Sequence, residues 1–89
     1  MKLFTFVLAY KSYTSISQIR AMDVQTALSR WCDKFVKDKS PDLPPHRRQL
    51  AAELGEDPLI PISDVKNVWC ATASVRGHFT LMNIIQTDG

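Results

Sequence analysis

The stretch that decides the fold is Lys2-Leu3-Phe4-Thr5-Phe6-Val7-Leu8-Ala9-Tyr10, followed by Lys11-Ser12 and then Tyr13-Thr14-Ser15-Ile16-Ser17-Gln18-Ile19-Arg20-Ala21. Residues 2–10 are rich in β-branched and aromatic side chains, which favour a pleated strand. Residues 13–21 read as a second, more polar strand. The pair between them lacks the Gly or Asn that positive φ favours, so it is a poor two-residue turn. A four-residue loop centred on the same pair preserves the register. Either way Tyr10 opposes Tyr13, Leu8 opposes Ser15, Phe6 opposes Ser17 and Phe4 opposes Ile19. Large side chains then face small ones, an arrangement that packs well.

Working outward, Asp23 fits an N-cap because its carboxylate can accept from the first helical amides. Val24, Ala27, Leu28, Trp31, Cys32 and Phe35 recur at helical spacing, predicting an amphipathic helix over about 23–37. Lys34, Lys37 and Lys39 gather at its negative end. Ser40-Pro41-Asp42-Leu43-Pro44-Pro45 is a stiff connection. Pro45 suits the first position of a shorter helix over about 45–55, with Leu50, Ala51 and Leu54 as its apolar side and Gly55 at its end. That helix carries basic residues at its positive end and acidic ones at its negative end, so it needs a neighbour's help.

Pro58-Leu59-Ile60-Pro61-Ile62 reads as an extended connector, since two prolines exclude a regular helix or a central strand. Asn67 to Val75 and Phe79 to Thr87 then form a hairpin around Arg76-Gly77-His78, by a type I′ or type II′ turn. The expected architecture is one α+β domain over residues 1–89. It has a four-stranded antiparallel sheet in β-β-α-α-β-β order, with one long and one short helix packed mainly on one face. Phe4, Phe6, Leu8, Val24, Leu28, Trp31, Phe35, Trp69, Met82 and Ile84 are the expected core. Trp31 and Trp69 are expected to meet between helix and sheet.

The 89 residues are 45% hydrophobic and 22% charged, with a net charge of +2. That composition argues against disorder. No apolar run approaches the roughly 20 residues of a membrane-spanning helix. Only Gly55, Gly77 and Gly89 are present, so glycine-rich phosphate loops cannot be built. The apolar opening is short, interrupted by Thr5 and lacks a small-x-small cleavage site, so it reads as a strand rather than a signal peptide. Small disulfide-stapled secreted domains usually carry four to eight cysteines, and although two could make one bridge, reduced, packed thiols in the cytoplasm are expected.

No catalytic constellation emerges. Cys70 and His78 would sit on the order of 17 Å apart along a hairpin, far beyond the reach of a nucleophile and its base. Cys32, Cys70, His46 and His78 lie on different elements without metal-ligand spacing. No Ser elbow is present, and the acidic residues are scattered. No cofactor or metal is therefore expected. Lys34, Lys37, Lys39, His46, Arg47 and Arg48 form a candidate basic patch for phosphate or nucleic acid. No nucleic-acid motif accompanies it, and a solvated face is the plainer reading.

Sorting the second hairpin by parity leaves apolar residues on both faces. Trp69, Ala71, Ala73, Val75, Met82 and Ile84 share one. Val68, Cys70, Phe79, Leu81 and Ile85 share the other and are the candidate interface. The first strand behaves likewise, with Leu3, Val7 and Ala9 opposite its large residues. A sheet with one wet face should alternate cleanly. The expectation is a non-catalytic interaction module that self-associates, as a dimer through its sheet or through a protein partner. Weak nucleic-acid binding is the alternative.

The opening hairpin followed by an Asp-capped amphipathic helix resembles the small α+β antitoxins of the HicB type. The resemblance covers about the first third of the chain. The Pro- and Gly-containing segment of such antitoxins is missing, because Ile19-Arg20-Ala21-Met22 runs straight into Asp23. It implies an architecture and an antitoxin-like partner protein as a second alternative, and no residue roles.

Overall fold

The computed structural model describes residues 1–11, 13–38, 46–56, 59–63 and 65–88. Strand β1 (Lys2–Tyr10) and strand β2 (Tyr13–Ala21) lead into helix α1 (Val24–Lys37) and helix α2 (Arg47–Glu56). Strands β3 (Ile60–Pro61), β4 (Val68–Val75) and β5 (His78–Asp88) complete the chain. They form one antiparallel sheet in the order β2-β1-β5-β4-β3. The closing strand β5 thus inserts beside the opening strand β1 and becomes the middle of the sheet.

The α+β class and the antiparallel sheet agree with the sequence reading, but the sheet has five strands rather than four. The fifth is Ile60–Pro61, part of the stretch expected to be a connector. It pairs Ile60 with Cys70 and Pro61 with Trp69. The Ile62 amide also donates to the Val68 carbonyl at 3.1 Å. Residues of an antiparallel pair alternate between bonded and unbonded positions. Pro61 stands between two bonded positions on an edge strand, so its missing N–H leaves nothing unpaired.

The β1–β2 register matches the expected one throughout, with Tyr10 opposite Tyr13 and Phe4 opposite Ile19. Lys11 meets the tight turn by taking a left-handed conformation, φ 55°. In the second hairpin Arg76 and Gly77 have φ of 52° and 79°, which defines the type I′ alternative.

Helix α1 starts where expected, its Asp23 side chain accepting from the Thr26 amide at 2.7 Å. Helix α2 begins at Arg47 rather than at Pro45, which lies outside the described residues. His46 precedes it with a positive φ of 63°, and the Leu50 amide donates to its carbonyl. Gly55 lies inside α2, which runs on to Glu56.

Both helices lie on the same face of the sheet. Phe4, Phe6, Leu8 and Tyr10 of β1 join Met82 and Ile84 of β5 and Ala71, Ala73 and Val75 of β4 there, under Ala27, Leu28, Trp31, Phe35, Leu50 and Leu54 of the helices. Val24 and Trp69 of the expected core are only partly buried. The tryptophans also part company. Trp31 stacks between Phe6 at 5.8 Å and Phe35 at 4.7 Å, and its Nε1 donates to Ser17 Oγ. Trp69 tilts against Phe4 at 6.1 Å. The strand order is the reason: β5 separates β1 from β4, so α1 over β2 and β1 holds one tryptophan while β4 carries the other.

Candidate functional site

The uncovered face is assembled from every strand. Parity and register place Leu3, Thr5, Val7 and Ala9 of β1 beside Thr14, Ile16, Gln18 and Arg20 of β2. Phe79, Leu81, Asn83 and Ile85 of β5 lie on the other side of β1, followed by Val68, Cys70, Thr72 and Ser74 of β4 and Ile60 of β3. Neither α1 nor α2 packs here, because the buried residues of both join the core on the opposite face. The five residues expected as an interface, Val68, Cys70, Phe79, Leu81 and Ile85, do share this face. The structure joins them to Leu3, Val7 and Ala9, and adds Ile16 and Ile60. Ile16, Ile60 and Phe79 are 70%, 61% and 66% exposed.

This surface is almost free of charge. Arg20, at one corner, is the one charged residue among its described side chains. Three of its polar side chains, Thr5, Gln18 and Thr87, also bond to one another. Gln18 Nε2 donates to Thr5 Oγ1 at 3.2 Å, and Thr5 Oγ1 meets Thr87 Oγ1 at 3.1 Å. Thr87 Oγ1 donates in turn to the Leu3 carbonyl at 3.3 Å. Each hydroxyl in this chain can accept one bond and donate one. Thr87 reaches this position at the irregularity where the β1–β5 register shifts between Leu3 and Phe4.

The basic cluster is differently built. Lys34, Lys37, His46 and Arg48 are exposed, whereas Lys39 lies outside the described residues. Arg47 is only partly exposed. Its guanidinium donates to the Asp38 carbonyl at 2.8 Å and ties the start of α2 to the end of α1. This bond is the neighbour's help that the charge pattern of α2 calls for, and it spends one of the cluster's cations on structure.

Between the helices lies an open depression of about 380 Å³ lined by Leu28, Ser29, Cys32, Ala51, Ala52 and Gly55. A second, of about 400 Å³, adjoins it at Cys32, Ala51 and Ala52 and extends to Lys37 and Arg48. The Cys32 thiol points at the Ala51 carbonyl, 3.6 Å away. Burial, with a smaller contribution from the Asp33 carboxylate, pushes that thiol up to about 11. A thiol held protonated is a poor nucleophile and a poor metal ligand. Cys70 is half-buried on the uncovered face, and the hairpin register puts it and His78 at opposite ends. His78 instead lies edge-on to Tyr10. Among the described residues no group of three or more His, Cys, Asp or Glu side chains is placed to hold a metal ion. Among them, too, no helix is long and apolar enough to cross a membrane.

Comparison with known proteins finds no matching family model, no similar curated protein and no similar solved structure. None of these comparisons supports the likeness to HicB-type antitoxins.

Proposed function

We propose that the protein is a non-catalytic interaction module that self-associates through its sheet. One observation carries the reading: the sheet face opposite the helices is broad, largely apolar and nearly uncharged, with Ile16, Ile60 and Phe79 mostly exposed. Solvated sheet faces normally alternate toward polar residues, and broad apolar patches on single chains mark interaction surfaces. A second copy is the simplest partner, since a twofold axis lets one patch cover itself. The near absence of charge means that two positively charged chains meet there without repulsion.

Light scattering coupled to size exclusion tests this. The expected result is twice the chain mass at concentrations up to about a millimolar, the level at which even weak association is populated. A single-chain mass throughout that range overturns the proposal.

A further inference from the structure

The self-association proposed above can use the sheet in two ways, edge to edge or face to face. We propose that two copies stack face to face about a twofold axis at Asn83, whose carboxamides pair with each other and set the alignment. This inference rests on the self-association reading and deepens it.

The edges are poorly suited to pairing. Tyr10 opposite Tyr13 closes a tight hairpin, so Thr14, Ile16, Gln18 and Arg20 turn their backbone groups outward from β2. The Arg20 carbonyl on that edge is already taken by the Arg30 guanidinium at 2.7 Å. A guanidinium at a sheet edge guards it against another strand, because pairing would strip its water. At the opposite edge β3 and the Ile62 amide cover β4 from Val68 to Cys70, leaving a short stretch near Thr72 and Ser74.

The face, with Arg20 only at one corner, has no such guard over its middle, and it has the area. Four strands spaced about 4.8 Å apart and rising about 3.4 Å per residue present a flat footprint of roughly 550 Å². Side-chain relief and β3 enlarge it. Two copies together then reach the roughly 1,200 Å² at which specific interfaces begin. Stacked sheets pack about 10 Å apart, so side chains from both faces interdigitate as in a sandwich.

Asn83 occupies the centre of this face. Across the strands it is the middle of the row Ile16, Val7, Asn83, Cys70, Ile60. Along β5 it lies midway between Phe79 and Thr87. A residue at the centre of a face meets its own copy whichever way a twofold axis runs in the plane between the sheets. A carboxamide offers both donors and an acceptor, so two copies satisfy each other. Among the described residues Asn83 has no side-chain hydrogen bond within the chain, unlike Thr5, Gln18 and Thr87. A polar group at the centre of a dry interface holds it in the one alignment that pairs it, as single asparagines do in coiled coils.

The experiment is a charge-swap series read by sedimentation equilibrium at neutral pH, with circular dichroism to confirm the fold. Asn83→Asp and Asn83→Lys should each weaken self-association at least tenfold, because like charges meet across the axis. Mixing the two variants should restore a dimer of wild-type affinity or tighter, since opposite charges then meet. Hydrogen exchange on the wild-type dimer should leave the outward amides of Thr14, Ile16 and Gln18 on β2 unprotected, because no strand pairs with that edge. If those β2 amides are protected in the dimer while the Asn83 variants keep it, the contact is at the edge and this inference fails, although self-association stands. If both single-charge variants weaken the dimer but their mixture does not recover, Asn83 does not meet its own copy and the inference also fails. A wild-type chain that is always monomeric removes the self-association reading itself.

Discussion

The two faces of the sheet use alternate residues of the same strands, yet their environments diverge. On one, Phe4, Phe6, Leu8, Met82 and Ile84 are at most 1% exposed beneath two helices. On the other, Leu3, Val7, Leu81 and Ile85 are shielded only by their neighbours in the sheet. The contrast lies in what covers the residues more than in their hydrophobicity. One pleated chain carries two apolar surfaces, and its helices reach one of them. The first surface holds the fold together. The second is free to hold something else.

The sharpest way to break this contrast is to truncate adjacent residues of β1. Phe6→Ala removes a ring that stacks on Trp31 and should cost about 3–5 kcal/mol, the usual range for a buried aromatic. Val7→Ala, one residue on, should cost about 1 kcal/mol or less in the monomer. Urea denaturation at concentrations too low for association measures both. Equal losses would mean that the outer face is as important to the single chain as the core face.

The side each residue takes was legible from the sequence, because strand parity needs nothing beyond the chain itself. The register of the first hairpin and the grouping of Val68, Cys70, Phe79, Leu81 and Ile85 followed from turn and parity, and the span of α1 from its helical spacing; between the two turns open to the second hairpin, the structure takes type I′. What escaped depended on strand order, a long-range property. Nothing local tells β5 to lie against β1. Without that, Trp31 and Trp69 were free to be paired across a contact the sheet does not allow, and Asn83 could not be recognised as central. Ile60–Pro61 escaped for another reason. Two prolines argue against a strand, but an edge position opposite an unbonded residue removes the objection at Pro61. At the basic cluster, spacing showed a run of cations but not that Arg47 is committed to the Asp38 carbonyl.

The two cysteines sharpen the comparison chemically. Cys32 sits among the helices, with its thiol held up at about 11 instead of 9.0. At pH 8 it should carry about a hundredfold less thiolate than an ordinary cysteine and react with iodoacetamide correspondingly slowly. Cys70 lies in the row through Asn83 on the outer face. It should label readily in dilute protein and more slowly as the concentration rises and a second copy covers it. Concentration-independent labelling of Cys70 would count against that cover. Since the folded state favours the neutral Cys32 thiol, its contribution to stability is full below 9.0. That contribution is lost as the pH rises toward about 11.

Two threonines give a smaller test. Thr80 is fully buried on the core face, and its Oγ1 has no hydrogen-bond partner among the described residues. Thr72 is exposed on the outer face. Thr80→Val keeps the shape and removes a desolvated hydroxyl, so it should stabilise by about 1 kcal/mol. For a domain of this size that raises the melting temperature by roughly 4–8 °C. Thr72→Val should change monomer stability by less than about 0.5 kcal/mol. A loss of stability in Thr80→Val would show that the buried hydroxyl has a partner after all.

The smallest effect concerns the helix that covers the core face. Asp23 caps α1, and its bonds from the Thr26 backbone and side chain hold its carboxyl below the ordinary 3.8. A carboxylate whose folded value is depressed stabilises the protein fully above its unfolded value. The contribution fades as the pH falls below 3.8 and through the folded value. Asn is an equally good cap but does not titrate in this range. Asn at this position should therefore match the wild type near neutrality, within the uncertainty of thermal melts. Under acid the wild type should lose more stability than Asp23→Asn, and the two melting curves should separate only below about pH 4. The loss should register at Trp31, whose fluorescence reports the α1 contact with Phe6, because α1 covers one face of the sheet and leaves the other alone. Parallel acid profiles for the two proteins would mean that the Asp23 carboxylate contributes nothing to holding that cover in place.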